Sequence, residues 1–182
     1  FTGLYDGNGK SISNMTTTGK VVVGNYNNNI GVAGLFARIG EGGIVKKLNI
    51  DNCTLYPAIA PTSYAYAFAA ANNGYIDQCF ATGTIDGSDI GTNYCFMGGI
   101  SYTETPGRLS NCYAICSIYA YGNNSYAGGI GAHYAVTGAR IENCYAVVTP
   151  NDSTGKIMGI GGIITGYRSS NFYNSDLLTA DP

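Results

Sequence analysis

The sequence contains few charged residues and no tryptophan. Its 182 residues include 9 Lys or Arg and 11 Asp or Glu, which give a net charge of −2. Basic residues stand side by side only at Lys46 and Lys47. A surface that binds nucleic acid needs a basic stripe to neutralise phosphates. The composition therefore argues against nucleic acid as a partner.

Long apolar segments are also missing. No run approaches the roughly 18 residues that a membrane-spanning helix requires, so we expect no membrane span in residues 1–182. No secretory signal is visible, and the chain begins at Phe1 rather than at Met. We expect these residues to form a single domain that belongs to a larger chain with further domains.

Metal-binding and cofactor motifs are scarce, and we expect neither a metal nor a cofactor. The single histidine, His133, has no partner set for catalysis, so we interpret it as a bystander. A zinc site is weakly supported, because Cys-x-x-Cys is absent and no second histidine accompanies Cys112 and Cys116. Asp6 resembles the start of a calcium loop, but Lys10 lies where an oxygen ligand would be needed. This segment reads as a glycine-rich turn.

Glycine and β-forming residues are abundant instead, and they recur with a period of about 32 residues. The main motif appears as IDQCFATGTI (76–85), LSNCYAICSI (109–118) and IENCYAVVTP (141–150). Weaker copies place Met15, Leu48 and Phe172 where these copies have cysteine. A second motif in phase with the first appears as AGLFA (33–37), AFAAA (67–71), GGISY (98–102), GGIGA (128–132) and GGIIT (161–165).

Several solenoids have repeats of similar length. Helical repeats need amphipathic helices, which Gly-Gly pairs disfavour, and propeller blades need about 40 residues each. The best fit is an all-β fold, a parallel β-helix of about six partial coils of roughly 32 residues, with equivalent residues stacked about 4.8 Å apart.

Strand alternation assigns the faces of the repeat. The first inward ladder is expected to contain Met15, Leu48, Cys79, Cys112, Cys144 and Phe172. The second inward ladder, two residues further on, is expected to contain Thr17, Ile50, Ala81, Ala114, Ala146 and Asn174. The residues before the first ladder are mostly amides, which can stack and hydrogen-bond at a bend: Asn14, Lys47, Gln78, Asn111, Asn143 and Asn171.

The cysteines allow two interpretations. An even number, here 6, suggests a disulfide framework in an exported protein. Stacked cysteines with parallel Cβ vectors have poor bridging geometry, however. We therefore expect reduced cysteines that act as small core residues, while the redox state of Cys53, Cys95 and Cys116 is left open.

The motifs resemble those of the GLUG-motif β-helix proteins. The resemblance rests on FTGLYDGNGKSISNM (1–15), AGLFARIGEGGIVKKLNI (33–50) and the later units that combine Gly-Gly-Ile with Asn-Cys-Tyr-Ala. It implies a right-handed parallel β-helix on a secreted or surface-attached bacterial protein, similar to adhesins of the filamentous-haemagglutinin type. Related repeats also lie beside protease domains, and the family supplies no catalytic signature.

One outward row of aromatic residues is the candidate binding site. Phe80, Tyr113, Tyr145 and Tyr173 follow the inward ladder and should stack on four successive coils. Sugar rings pack on aromatic rings through apolar C–H contacts, so this row can form a glycan platform. The alternative is that ring stacking merely stabilises the sheet.

The charged residues offer weaker candidates. Asp77 and Glu142 are separated by the coil that carries Ser110, which is roughly 10 Å by strand spacing and wide for an inverting pair of acids. Arg108, Arg140 and Arg168 occupy equivalent positions. They form either a solvated row or a row that binds an anionic ligand.

Taken together, these features predict a non-catalytic, adhesin-like module that is secreted or on the bacterial cell surface. It would be structural or would bind glycans, host-matrix molecules or surface proteins. Two alternatives are a carbohydrate-active β-helix enzyme, either a polysaccharide lyase or a hydrolase, and a passive stalk or spacer for another domain.

Overall fold

The protein is a β-solenoid in a computed structural model that describes residues 1–23, 29–90, 94–121, 124–131, 138–150, 156–159, 167–169 and 172–173. Parallel sheets form about three turns, about 32 residues apart. This part of the chain contains no α-helix, and a 3-10 turn lies at Ser88–Ile90. The prediction of an all-β solenoid is therefore confirmed.

The strands are short, apart from two that run along the first sheet. In chain order they are β1 (Leu4–Ser13), β2 (Thr16–Thr18), β3 (Lys20–Val23), β4 (Asn29–Ala33), β5 (Ile44–Tyr56), β6 (Thr62–Tyr66), β7 (Ala69–Asn72), β8 (Tyr75–Asp77), β9 (Phe80–Asp86), β10 (Tyr94–Gly98), β11 (Ser101–Thr103), β12 (Arg108–Ser110), β13 (Tyr113–Tyr119), β14 (Ser125–Gly128), β15 (Arg140–Glu142), β16 (Tyr145–Pro150), β17 (Lys156–Met158), β18 (Tyr167–Ser169) and β19 (Phe172–Tyr173).

Three sheets form the sides of the solenoid. The first sheet has 11 strands in the order β18-β15-β12-β8-β5-β9-β13-β16-β19, and β1 and β2 also pair with β5. The second sheet has 6 strands in the order β17-β14-β10-β6-β4-β3, and the third pairs β11 with β7. Successive coils pair in parallel, whereas β3 and β4 form an antiparallel pair.

The number of coils differs from the prediction of about six, since the solenoid has about three turns. The regular turns lie between β5 and β16. Before them, β1 is interrupted by a bulge and β3 folds back on β4. After them, the strands β17 to β19 have only two or three residues. The weaker copies at Met15 and Phe172 thus mark the irregular ends of the stack, whereas the one at Leu48 belongs to the regular turns.

The bend in the first sheet is made by the residue that precedes the inward ladder. Its φ angle is positive in four copies: 51° at Lys47, 52° at Gln78, 51° at Asn111 and 51° at Asn143. In the first coil, Asn8 lies opposite Lys47 and has a φ angle of 49°, whereas Asn14, at 57°, lies level with Asn52, at 54°. This left-handed conformation is rare for residues other than Gly, Asn and Asp. The amides are therefore selected by the backbone at the bend, in addition to any contact between them.

The core follows the predicted alternation in the regular turns. Leu48, Cys79, Cys112 and Cys144 are each at most 2% exposed. The second inward ladder is fully buried at Ile50, Ala81, Ala114 and Ala146. Small core residues let successive coils stack closely, so one continuous core runs along the solenoid.

The second phased motif forms another corner of the solenoid. The Phe68 N–H donates to Ile100 O at 3.1 Å, and the Ile100 N–H donates to Ile130 O at 2.8 Å. The side chains of all three residues are fully buried. The predicted stack of this motif is confirmed here, while GGIIT (161–165) lies outside the described residues.

The first copy is aligned differently from the prediction. Between Asp6 and Lys10 the pairing with β5 shifts, because Gly7, Asn8 and Gly9 lie opposite the single residue Lys47. Asp6 Oδ1 accepts a hydrogen bond from the Asn8 N–H at 2.9 Å. The glycine-rich segment is therefore a bulge within β1 rather than the predicted turn. Further along, Thr16 pairs with Thr54 and Thr17 with Leu55.

Met15 and Thr17 do not join the predicted ladders, because the register between β1 and β5 differs from the predicted one on both sides of the bulge. Met15 O accepts a hydrogen bond from the Thr54 N–H at 2.8 Å, so Met15 lies level with Cys53 rather than Leu48. Ile12, opposite Ile50, takes the place that was predicted for Thr17. The first coil is 38 residues long, as between Asn14 and Asn52, rather than the 33 residues between Met15 and Leu48 that the prediction assumed, and this longer coil accounts for both errors.

The last copy is displaced by one residue. Phe172 pairs with Tyr145, and Tyr173 pairs with Ala146. Phe172 is therefore not level with Cys144, as the inward ladder required. Asn171 and Asn174 lie outside the described residues.

Candidate functional site

Three stacked rings lie on the outer face of the first sheet. Phe80, Tyr113 and Tyr145, here called the outer aromatic row, begin β9, β13 and β16 directly after the buried cysteines, so alternation turns them outward. Tyr113 is in register with Phe80 on one side and with Tyr145 on the other. Phe80 and Tyr113 are half-buried, and Tyr145 is 41% exposed.

The stacking is tight at one end of the row and looser at the other. The centroids of Phe80 and Tyr113 are 4.2 Å apart with an interplanar angle of 13°. Those of Tyr113 and Tyr145 are 5.9 Å apart with an angle of 35°. Ring faces that pack on each other leave mainly their edges and hydroxyl groups for a ligand.

Tyr173 does not continue this row, contrary to the prediction. By backbone register, the residue opposite Tyr145 is Phe172, and Tyr173 lies opposite Ala146. The same displacement places Tyr167 opposite Arg140 and Arg168 opposite Ile141. The predicted arginine row therefore consists of the neighbours Arg108 and Arg140 without Arg168.

Aliphatic and hydroxyl residues run parallel to the outer aromatic row. The next outward positions along these strands are Thr82, Ile115 and Val147, and those after them are Thr84, Ser117 and Thr149. Ile115 is 40% exposed. The face therefore combines an apolar strip with a strip of hydroxyl groups, repeated from coil to coil.

Asp77 lies in a dense hydrogen-bond network. Its carboxylate accepts hydrogen bonds from Ser110 Oγ at 2.6 Å, Asn111 Nδ2 at 2.8 Å and Gln78 Nε2 at 3.0 Å. Burial alone would raise the pKa of Asp77, but the bonds from Ser110, Asn111 and Gln78 outweigh it and hold the pKa below the ordinary value. Asp77 thus remains ionised at neutral pH.

The position of Glu142 agrees with the predicted separation from Asp77. Ser110 lies between them, paired with Asp77 on one side and with Glu142 on the other. The two acids are therefore two coils apart on the same face.

The amide row is joined in part by direct hydrogen bonds. Asn143 Nδ2 donates to Asn111 Oδ1 at 3.4 Å, as predicted. Asn14 Oδ1 instead accepts a hydrogen bond from Asn52 Nδ2, at 2.7 Å. The row serves the bend in the backbone and offers no evident ligand site.

All six cysteines are free and buried, as the packing interpretation predicted. Along the ladder, the thiols of Cys79, Cys112 and Cys144 each donate to the carbonyl two residues earlier, at 3.3, 3.1 and 3.3 Å. Burial raises the pKa of Cys112. Within the described ranges no group of three or more His, Cys, Asp or Glu residues could hold a metal ion; His133 lies outside those ranges.

The sequence analysis missed a second set of stacked rings, on the second sheet. Tyr64, Phe96 and Tyr126 are in register on β6, β10 and β14. Tyr64 and Phe96 are 5.3 Å apart at 17°, and Phe96 and Tyr126 are 5.6 Å apart at 12°. Tyr102 packs beside Tyr64 at 5.1 Å. A weak signal was available, since Tyr64, Phe96 and Tyr126 follow the repeat period.

A cavity of about 280 Å³ lies beside Tyr64, between the second and third sheets. Its walls include Tyr64 and Tyr102, and an ion pair between Arg38 and Glu104 borders it. These residues come from three different coils. We call this feature the corner pocket.

Comparisons of the chain with protein-family models, with curated proteins and with solved structures gave no match. The described part of the chain has no helix with the length and apolar character needed to span a membrane.

Proposed function

We propose that this chain is a non-catalytic, adhesin-like segment of a right-handed β-helix on a secreted or surface-attached bacterial protein. Its outer aromatic row would contact glycans or host-matrix molecules. The continuous row of rings on an exposed sheet face carries this proposal. Right-handedness is the expectation for crossover connections between parallel strands.

The chemistry of the face suits an extended, hydroxyl-rich ligand. The ring edges and Ile115 offer apolar contact, and Tyr113, Tyr145 and the Thr84–Ser117–Thr149 strip offer hydroxyl groups. A hydroxyl group both donates and accepts hydrogen bonds, as a sugar hydroxyl does. Because the strips repeat at the strand spacing of about 4.8 Å, a polymer laid across several coils would meet the same groups repeatedly.

A passive spacer is the second candidate function. The tight packing of Phe80 on Tyr113 favours it, because a ring face that is already covered cannot stack on a sugar. On this view the row stabilises the sheet and has no ligand.

A carbohydrate-active enzyme is the less favoured alternative. An acid that protonates a leaving group needs a raised pKa, whereas the hydrogen bonds to Asp77 lower its pKa. A catalytic role for the acids of this face would therefore require a different residue as the proton donor.

Binding to an array of glycans and host-matrix proteins tests the proposal. The native protein is compared with a variant that carries Phe80→Thr, Tyr113→Thr and Tyr145→Thr. The matched control carries Tyr56→Thr and Tyr94→Thr, which remove tyrosines that are 41% and 49% exposed outside the row. Circular dichroism verifies that both variants fold.

Selective binding that is lost only in the row variant would support the proposal. Binding that survives in the row variant would contradict the role of the outer aromatic row. If the native protein binds nothing, the spacer function is favoured for this segment.

A further inference from the structure

The corner pocket is lined by small and aliphatic residues on one side and by rings on the other. Ile30 and Val32 of β4 and the alanines 70 and 71 of β7 form its apolar walls, and Tyr64 and Tyr102 complete them. The volume of about 280 Å³ is just below the range for small-molecule sites, roughly 300–1,000 Å³. The pocket therefore has room for one ring rather than for a chain of rings.

The Tyr64 ring lines this pocket beside Tyr102, which packs on it at 5.1 Å. Phe96 stacks on the ring from the neighbouring coil on one side, at 17°. On the other side the residue in register with Tyr64 is Val32, whose side chain is smaller than a ring. The row of rings thus ends at Tyr64, and both Tyr64 and Val32 line the pocket.

The border of the pocket presents a hydrogen-bond donor next to an acceptor. Arg38 Nη2 lies 3.1 Å from Glu104 Oε2, and the side chains are 62% and 31% exposed. Tyr64 and Glu104 both line the pocket, and burial, followed by the charge of Glu104, raises the pKa of Tyr64. Asn73 Oδ1 also accepts a hydrogen bond from Arg38 Nη2, which fixes the guanidinium group.

We propose that the corner pocket binds a single neutral pyranose residue of a saccharide. The apolar face of the sugar would pack against the Tyr64 ring where it lines the pocket. Two adjacent sugar hydroxyls would reach Arg38 and Glu104, one accepting from the guanidinium and the other donating to the carboxylate.

A neutral sugar fits better than a charged one. The charge of Arg38 is compensated by the adjacent Glu104, so an anionic ligand would be repelled by Glu104 and a cationic ligand by Arg38. The pocket lies between the second and third sheets, away from the outer aromatic row on the first sheet. Binding at one site can therefore be tested independently of binding at the other.

Methyl NMR spectra of protein labelled with [13C-methyl]alanine test this inference directly. The probes are methyl β-D-glucopyranoside, methyl β-D-galactopyranoside and methyl N-acetyl-β-D-glucosaminide, with D-glucuronate as the charged comparison. At least one neutral probe should shift the methyl signals of alanines 37, 70 and 71, which line the pocket. The signals of Ala81, Ala114 and Ala146, buried behind the first sheet, should stay unchanged.

Two variants and two controls sharpen the test. Glu104→Gln should weaken binding of the neutral probe at least tenfold, and Ala71→Leu should abolish it by filling the pocket. Glu41→Gln removes an exposed carboxylate elsewhere and should have no effect. The variant of the outer aromatic row should also bind the probe normally, which separates this inference from the proposed function.

The inference is overturned if no neutral probe shifts the pocket methyl signals. It is also overturned if D-glucuronate binds more tightly than every neutral probe, or if Glu104→Gln binds as well as Glu41→Gln.

Discussion

The ring of Phe80 lies on the ring of Tyr113 from the next coil, with centroids 4.2 Å apart. This distance is shorter than the strand spacing of about 4.8 Å, so the two rings lean toward each other. Tyr113 also contacts Tyr145, at 5.9 Å. The middle ring therefore holds the outer aromatic row together, whether or not the row binds a ligand.

Removing the middle ring should cost more stability than removing the last one. Tyr113→Thr loses two ring contacts and should lower the free energy of unfolding by about 2 kcal/mol, whereas Tyr145→Thr loses one described contact and should lower it by about 1 kcal/mol. Threonine keeps the strand propensity in both variants. Urea denaturation measures the difference.

Tyr94→Thr is the control for this comparison. Tyr94 is 49% exposed at the start of β10, so its replacement should change the free energy of unfolding by less than about 0.5 kcal/mol. A Tyr113→Thr variant as stable as Tyr94→Thr would show that the stacked rings do not stabilise the sheet.

The regular part of the fold could be predicted because each repeat carries both inward-facing and outward-facing marker residues. The cysteine and alanine positions alternate with the aromatic ones, and strand geometry turns this alternation into an inside and an outside. In agreement with this alternation, Cys79, Cys112 and Cys144 are buried in the structure, and Phe80 and Tyr113 face outward.

The ends of the stack could not be predicted in the same way. Periodicity assumes that each coil adds the same number of residues, but Gly7, Asn8 and Gly9 form a bulge opposite one residue, Lys47. A similar one-residue displacement removed Tyr173 from the outer aromatic row. Such shifts depend on local backbone pairing, which a weak copy of a motif does not specify.

The corner pocket was missed for a different reason. Arg38, Tyr64 and Glu104 are far apart in sequence and do not occupy equivalent positions of the repeat. These residues come close together because of the angle between the second and third sheets. No repeating pattern in the sequence specifies this angle.

The bend residues suggest a stabilising substitution at Lys47. Its φ angle is 51°, and the equivalent bend positions carry amides. Asparagine tolerates this left-handed conformation better than lysine does. Lys47 is exposed, so Lys47→Asn should raise the free energy of unfolding by about 1 kcal/mol. Thermal denaturation measures this gain.

Lys46→Asn is the matched control for the bend. Lys46 lies in β5 one residue earlier, without a positive φ angle, and its Nζ atom is 3.4 Å from Asp6 Oδ2. This variant should gain no stability. Equal effects of the two substitutions would contradict the conformational explanation.

Thr103 offers a stabilising change in the interior. It is 1% exposed, and within the described part of the chain its Oγ1 atom has no hydrogen-bond partner. Valine has nearly the same shape without the polar atom. Thr103→Val should therefore raise the free energy of unfolding by about 1 kcal/mol, measured by urea denaturation.

Thr82→Val should have the opposite effect. Thr82 Oγ1 accepts from the Asn52 N–H at 2.8 Å and donates to Asp51 Oδ1 at 2.7 Å. Removing this hydroxyl should lower the free energy of unfolding by about 1 kcal/mol. If both valine variants change stability in the same direction, hydrogen bonding does not explain the effects.

The buried thiol of Cys95 makes stability depend on pH. Burial raises the pKa of Cys95 to about 12 from the ordinary value of 9.0. The folded protein keeps this thiol protonated at pH values where the unfolded chain ionises it. Its contribution to stability is therefore fully present below pH 9 and is lost as the pH rises toward 12.

Comparing two variants isolates this effect from the tyrosines and lysines that titrate in the same range. Cys95→Ala should be less stable than the native protein at pH 8 because it leaves a cavity. By pH 10 the difference in the free energy of unfolding should have shrunk by about 1 kcal/mol, since the variant has no thiol to ionise.

Met97→Ala, at a buried and non-titrating position of the same strand, should show a constant difference. Parallel pH profiles for the two variants would show that the Cys95 thiol ionises equally well in the folded protein.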